Sequence, residues 1–254
     1  MRIPIQIVIF LFLTSCAFGP LGLSKKAIKK IEDQDVGKAD QLVVKAFEKD
    51  SLLPAALYTK SRLLIAYESP EFYDSAYFYI LSAQVVLDTI NSKTKEKHYK
   101  HGFDSVALAN HKKLIDSLAY QWAERKNTEE AFNAFLAKYP TAKQNALAKS
   151  KRNALAFAAA KAKNTYLSYK KFMETYPDAV QVGAARDRYE KLYFDKSTAD
   201  GRVTSYIRFL ERNPDTPYRK EAEQNIFEVM TSEHSVGGYE LFLRSYPKSH
   251  LRKK

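Results

Sequence analysis

Cysteine is almost absent. The 254 residues hold one, Cys16, which excludes an intramolecular disulfide framework and a cysteine-rich zinc site. Histidine is nearly as sparse. The five histidines, His98, His101, His111, His234 and His250, sit in no recognisable catalytic setting. There is no Gly-x-Ser-x-Gly, no His-Glu-x-x-His and no phosphate-binding loop, so the expectation is a protein without catalytic residues, cofactor or metal. Acidic residues fall short of basic ones, 29 against 41, for a net charge of +12. Such a balance attracts nucleic acid, anionic lipid or acidic proteins. No zinc-finger or RRM signature accompanies it, so nucleic acid is not an expected partner. Glycine is scarce as well, at 8 residues in an otherwise ordinary composition.

Aromatics are plentiful, and they recur. Pairs stand at Phe132/Phe135, Tyr169/Phe172, Tyr206/Phe209 and Tyr239/Phe242. A proline follows each pair: Pro140, Pro177 and Pro214 are 37 residues apart, and Pro247 comes 33 later. Ala148, Ala185 and Ala222 keep the same step. Aromatics at i and i+3 share one helical face, and proline ends a helix by lacking the amide proton. The intervening run, 142–162, is rich in helix formers. Its apolar positions Ala148, Leu155 and Ala159 define a second face. Asn127, with Glu130 three residues on, resembles a capping box, and Asn164 holds the same place one period later. Each unit therefore reads as helix, turn, helix. Neither helix can hide its apolar side alone, whereas stacked neighbours can. The expected fold is all-α, an α-solenoid of stacked helix pairs with a period of about 37 residues. A further helix is expected after Pro247 to close the stack.

The same period operates earlier. Ala39, Val43 and Ala46 are matched 37 residues on by Ala76, Ile80 and Ala83. These triplets resemble the small-residue positions of tetratricopeptide repeats. Residues 24–90 are thus expected to form N-terminal repeats and 103–254 the C-terminal ones. Between them, 91–102 shows no apolar periodicity and reads as a basic insert loop. Lys93, Lys95, Lys97 and Lys100 are its candidate partner contacts, the alternative being a plain solvated loop. His98, His101 and Asp104 match no specific metal-ligand spacing. Phe103, Ala107, Leu114, Leu118 and Trp122 fall on one face of a long helix that follows.

The N-terminus is different in kind. After Met1-Arg2, an apolar run from Ile3 to Leu13 ends in Leu13-Thr14-Ser15-Cys16. A span of about eleven residues is short of the roughly 20 needed to cross a bilayer and suits a secretory signal. Leu-Thr-Ser-Cys resembles the lipobox of bacterial lipoproteins. That resemblance implies a signal peptide over 1–15, lipidation at Cys16 and a short tether over 16–23. The alternatives are an ordinary signal cut after Gly19 or an uncleaved anchor. Ala17, not Asp, follows the cysteine, which leans towards the outer membrane.

The run Tyr176-Pro177-Asp178-Ala179, and Pro214 to Ala222, resemble the repeats of outer-membrane tetratricopeptide lipoproteins of the BamD type and of periplasmic coordinator proteins of the YbgF type. The likeness covers roughly 118–249, with weaker support from 37–90. Thr128, Thr165 and Arg202, with Phe135, Phe172 and Phe209, stand where those repeats carry small residues, which implies a wider helix pairing. The resemblance implies a lipid-anchored periplasmic scaffold of the cell envelope that binds envelope proteins, with outer-membrane protein assembly among the roles of such families. The alternative is a binder of anionic envelope polymer, cell-wall glycan or lipid headgroups, through the basic surface.

Overall fold

The computed structural model describes residues 19–253. The lipobox and Cys16 lie outside these residues. Thirteen α-helices follow one another, and no strand occurs among the described residues. They are α1 (Pro20–Glu32), α2 (Val36–Lys49), α3 (Pro54–Ala66), α4 (Tyr73–Thr89), α5 (Ser92–Tyr99), α6 (Ser105–Lys126), α7 (Glu129–Lys138), α8 (Asn145–Lys163), α9 (Tyr166–Thr175), α10 (Val182–Ser197), α11 (Val203–Arg212), α12 (Arg219–Met230) and α13 (Val236–Ser245). Short 3-10 turns cover Pro70–Phe72 and His250–Lys253. The described residues divide into two compact units, 19–127 with 134–145, and 128–133 with 146–253. Helices pair in chain order within each, the arrangement of TPR-like stacked helix pairs.

In the first unit α1 packs on α2 and α3, α3 on α4, and α4 on α6. Small residues allow the close approach. Ala27, Ala39, Val43 and Leu63 share one buried cluster, and Leu23, Ala46 and Ala56 another. Ala76, Ile80 and Ala83 are fully buried on α4, so the repeated triplets serve as helix-pairing positions on both helices.

In the second unit α9 packs on α10, α10 on α11, α11 on α12, and α12 on α13. Ala148, Ala185 and Ala222 are fully buried, and the members of the four aromatic pairs are buried apart from Tyr239. The helices α7, α9, α11 and α13 begin at residues 129, 166, 203 and 236, reproducing the sequence period. The final step of 33 is accounted for by α12, which has 12 residues against 16 in α10. Four residues are about one helical turn, so the deletion leaves the buried face nearly in place.

Several expectations are corrected. Residues 20–23 are helix, not tether, because Pro20 occupies the first helical position, where its fixed φ and missing N–H suit a helix start. The segment 91–102 is largely the helix α5. Asn91 caps it by accepting from the Thr94 N–H at 2.9 Å, and only one residue, His98, is buried. A helix that buries a single side chain leaves no apolar period to read. Asn127 and Asn164 are not N-caps. They take the left-handed conformation, φ 47° and 45°, and end α6 and α8. The capping falls one residue later: Thr128 Oγ1 accepts from the Ala131 N–H, and Thr165 forms a capping box with Ser168. Gly201 and His234 repeat the left-handed turn one period on, φ 65° and 50°. Asparagine and glycine tolerate that conformation best.

Two helical faces were also off by a residue. On α6 the buried positions are Leu108, His111, Ile115, Asp116, Ala119, Tyr120 and Ala123, while Leu114 is 47% exposed. On α8 they are Ala148, Ala156 and Ala160, and Ala159 is exposed. The helix expected after Pro247 is a single 3-10 turn, whose Leu251 is buried with Phe242 and Ile226.

At Gly238 the start of α13 lies close against the end of α12. A Cβ there would press on the Met230 carbonyl oxygen, a backbone atom that cannot turn aside. Gly238→Ala is expected to destabilise the second unit by about 1–3 kcal/mol, as overpacking does. Urea unfolding followed by circular dichroism measures this, and an unchanged midpoint would show that the two helices separate freely.

Candidate functional site

The first unit carries two adjoining hollows of about 460 and 230 Å³ that share Tyr58 and Arg62. Helices α1, α3 and α6, with the turn between α5 and α6, form their walls. The chain builds this face because α2 and α4 bury the small-residue triplets behind it, leaving α1, α3 and α6 to line the front. Ile31, Ile65 and Leu114 supply apolar surface in the larger hollow. Lys25, Glu32 and His101 bring polar groups to the smaller one.

Arg62 stands where the hollows meet and is half-buried. Its Nη1 donates to the Tyr58 hydroxyl at 3.1 Å. No carboxylate lies within ion-pair distance of it among the described residues. A guanidinium has five N–H donors in a rigid fork suited to carboxylates. A partly desolvated one without an acidic partner is a ready anion receptor. Tyr58 is held in place by edge contacts to Phe103 at 5.9 Å and His111 at 5.5 Å.

Behind them runs a buried polar chain. Ser61 donates its hydroxyl proton to the Ala76 carbonyl at 2.7 Å. Its oxygen lies 3.1 Å from His111 Nε2. Since the serine proton is committed to α4, the imidazole donates and Ser61 accepts, which fixes the Nε2–H tautomer. Burial, then the positive Arg62, pushes the His111 pKa down to about 4. The ring is therefore neutral at pH 7. This network ties α6, α3 and α4 together directly under the groove and holds Arg62 on a rigid wall.

No family model matches this chain. No curated protein matches it either.

The basic segment lies elsewhere. Lys93, Lys97 and Lys100 are exposed on α5, and Lys95 is half-buried. Lys100 pairs with Glu96 at 2.8 Å. At 100° per residue Lys93, Lys97 and Lys100 share one side of α5, with Lys95 on another. None of the four lines either hollow. His98 is turned inward, its Nδ1 against the Thr94 carbonyl at 2.9 Å, and Asp104 caps α6 by accepting from the Ala107 N–H at 2.7 Å. These two and His101 do not converge, and no group of three or more potential metal ligands occurs among the described residues. No helix among the described residues is long and apolar enough to cross a membrane.

Arg62, Tyr58 and His111 escaped the sequence reading. The one available signal was the polar run Thr59-Lys60-Ser61-Arg62 between the apolar residues Leu57-Tyr58 and Leu63 to Ala66. Polar residues at core positions of a helix are departures from binary patterning and mark either a network or a site.

Proposed function

We propose that this chain is a membrane-tethered, non-catalytic helical-repeat scaffold that holds an extended segment of a partner protein in the groove of its first unit. The observation that carries the reading is Arg62: half-buried, held by Tyr58, facing a hollow with apolar walls, and without an acidic partner of its own. A segment offering apolar side chains to Ile31, Ile65 and Leu114 and a carboxylate to Arg62 complements it. In the larger hollow the neutral His111 adds no second charge, so recognition of the acid there rests on Arg62. The lipobox-like ending at Cys16 supports a lipid anchor, and the repeat resemblance to BamD-type and YbgF-type proteins supports an envelope partner at the periplasmic side of the outer membrane.

Two experiments test this. A photo-crosslinking residue placed at Leu114 is expected to capture a discrete envelope partner in cells, and Arg62→Glu is expected to weaken that capture about tenfold or more, the scale of one lost charge-assisted contact. Capture that is indifferent to Arg62→Glu would remove the groove from the account. For the anchor, fatty-acid labelling is expected in the native chain and lost in Cys16→Ala. Labelling absent from both would withdraw the tether and leave a scaffold without a membrane address.

The exposed lysines of α5 favour a second reading, attachment to an anionic envelope polymer. It predicts binding that falls steeply with salt, since exposed charges are screened. A groove contact should be less salt-sensitive.

A further inference from the structure

The second unit has a hollow of its own, about 260 Å³, between α10 and the end of α11 with the turn after it. Tyr189, Tyr193 and Phe209 give it aromatic walls, and Glu190, Asn213 and Asp215 line its rim. The repeat itself shows which of these the stack requires. Ala185 is buried, and its counterparts one period away, Ala148 and Ala222, are buried too. Tyr189 and Tyr193 have no such counterparts. Arg152 and Ala156 occupy their places one period earlier, and Ile226 and Met230 one period later. Stacking therefore proceeds without tyrosine at these positions.

The rings are nonetheless organised. Tyr189 and Tyr193 stack in parallel at 5.7 Å, Tyr166 of α9 lies 5.5 Å from Tyr193, and Phe209 lies 5.9 Å from it on the other side. All three tyrosines are half-buried. Their hydroxyls make no hydrogen bond among the described residues. The charges are equally telling. In a chain of net charge +12, Glu190 and Asp215 have no Lys or Arg within 4 Å among the described residues. The neighbouring Lys191 is committed to Asp195 at 2.8 Å and Glu221 at 3.6 Å. Asn213 donates its amide to the Phe209 carbonyl at 2.8 Å, which leaves its side-chain oxygen as an acceptor.

Aromatic faces, two unpaired carboxylates and a free amide oxygen make a receptor for a donor-rich cation. The volume falls below the 300–1,000 Å³ or so of pockets that enclose drug-sized ligands, so it takes one side chain and not an extended segment. We propose that this hollow receives an arginine side chain of a partner protein, its guanidinium against the tyrosine rings and its N–H groups on Glu190 and Asp215. Arginine fits better than lysine because its planar head both stacks on rings and donates to two acceptors at once. The site is separate from the groove of the first unit in residues and in charge, and it stands whether or not that groove binds a segment.

The test uses the full chain in detergent, with its tyrosines labelled for NMR. The probes are the tripeptide amide N-acetyl-Gly-Arg-Gly, its citrulline analogue, which is neutral and nearly the same shape, and N-acetylglucosamine. The expected result is saturable shifts of Tyr189 and Tyr193 with the arginine peptide, at least about tenfold weaker with citrulline, the scale of lost charge-assisted hydrogen bonds. The double variant Glu190→Gln with Asp215→Asn should weaken arginine binding by a similar factor. Both side chains reach solvent, so an unchanged urea midpoint should accompany the loss. Arg62→Glu should leave it untouched. Equal binding of citrulline, shifts of the same tyrosines by the sugar instead, or no tyrosine shift with any probe would each overturn the proposal.

Discussion

Replacing Phe242 by alanine should lower the stability of the second unit by about 3–5 kcal/mol, the usual cost of removing a buried phenylalanine. Phe242 is 0% exposed, with Phe227 edge-on at 5.1 Å and Tyr246 stacked at 5.2 Å. It shares a cluster with Ile226 and Leu251. This cluster is where α12 is one turn short and where a 3-10 turn takes the place of a further helix. The ring therefore has few neighbours able to collapse into the space it leaves, and the cost should sit at the upper end of the range. The control is its pair mate. Tyr239 is 38% exposed, its ring touching Phe227 at 5.9 Å, so Tyr239→Ala should cost about 1 kcal/mol, in line with partial burial. Urea unfolding of both variants decides the matter. Equal losses would mean that the last aromatic pair packs as a unit and that burial does not rank its members.

The pair Tyr239/Phe242 shows how far the sequence could be read. The period located all four aromatic pairs, the prolines that follow the helix ends, and the fully buried alanines. Those features are dictated by the need of each helix pair to bury a face against its neighbour, and that need is written as spacing. Spacing does not say how deep each member lies, so Tyr239 was not separable from Phe242. It also drifts. A face read at steps of four and seven on α6 selected Leu114, although the buried side runs through His111 and Ile115. Both sides of that helix carry apolar residues, and the choice between them is made by packing on α4 and α3.

Polar determinants were less legible still. Asn127 and Asn164 have the right residue type for a helix boundary, but the left-handed turn and the N-cap both favour asparagine. Only the threonine that follows each of them separates the two roles. The helix α5 was missed because His98 is its sole buried residue. The groove was missed because Arg62 is one of two charged residues in α3, with Lys60, and its meaning depends on Tyr58 one turn before it and on His111 about fifty positions away. No local pattern encodes a contact of that separation.

His111 should make the first unit sensitive to acid. The unfolded chain binds a proton at an ordinary imidazole pKa of 6.5, and the folded chain at about 4. The unfolded state thus holds more protons throughout the interval between these values. Stability from this group is complete above pH 6.5, declines as the pH falls towards 4 and is gone below it. The loss amounts to about 3 kcal/mol, at roughly 1.4 kcal/mol for each pKa unit. The ring is only 5% exposed and sits beside a guanidinium, so its charged form is poorly solvated and repelled. His111→Gln keeps a donor for Ser61 and removes the titration. Its stability should therefore change less than that of the native chain between pH 6.5 and 4, with the difference measured by urea midpoints at each pH so that carboxylates common to both cancel. Parallel curves would show that the imidazole is charged without penalty, and hence that water reaches it. Because the same ring packs on Tyr58 beside Arg62, acid should weaken the proposed segment binding in the native chain over the same interval. In His111→Gln, binding should hold to lower pH, which links the buried network to the groove above it.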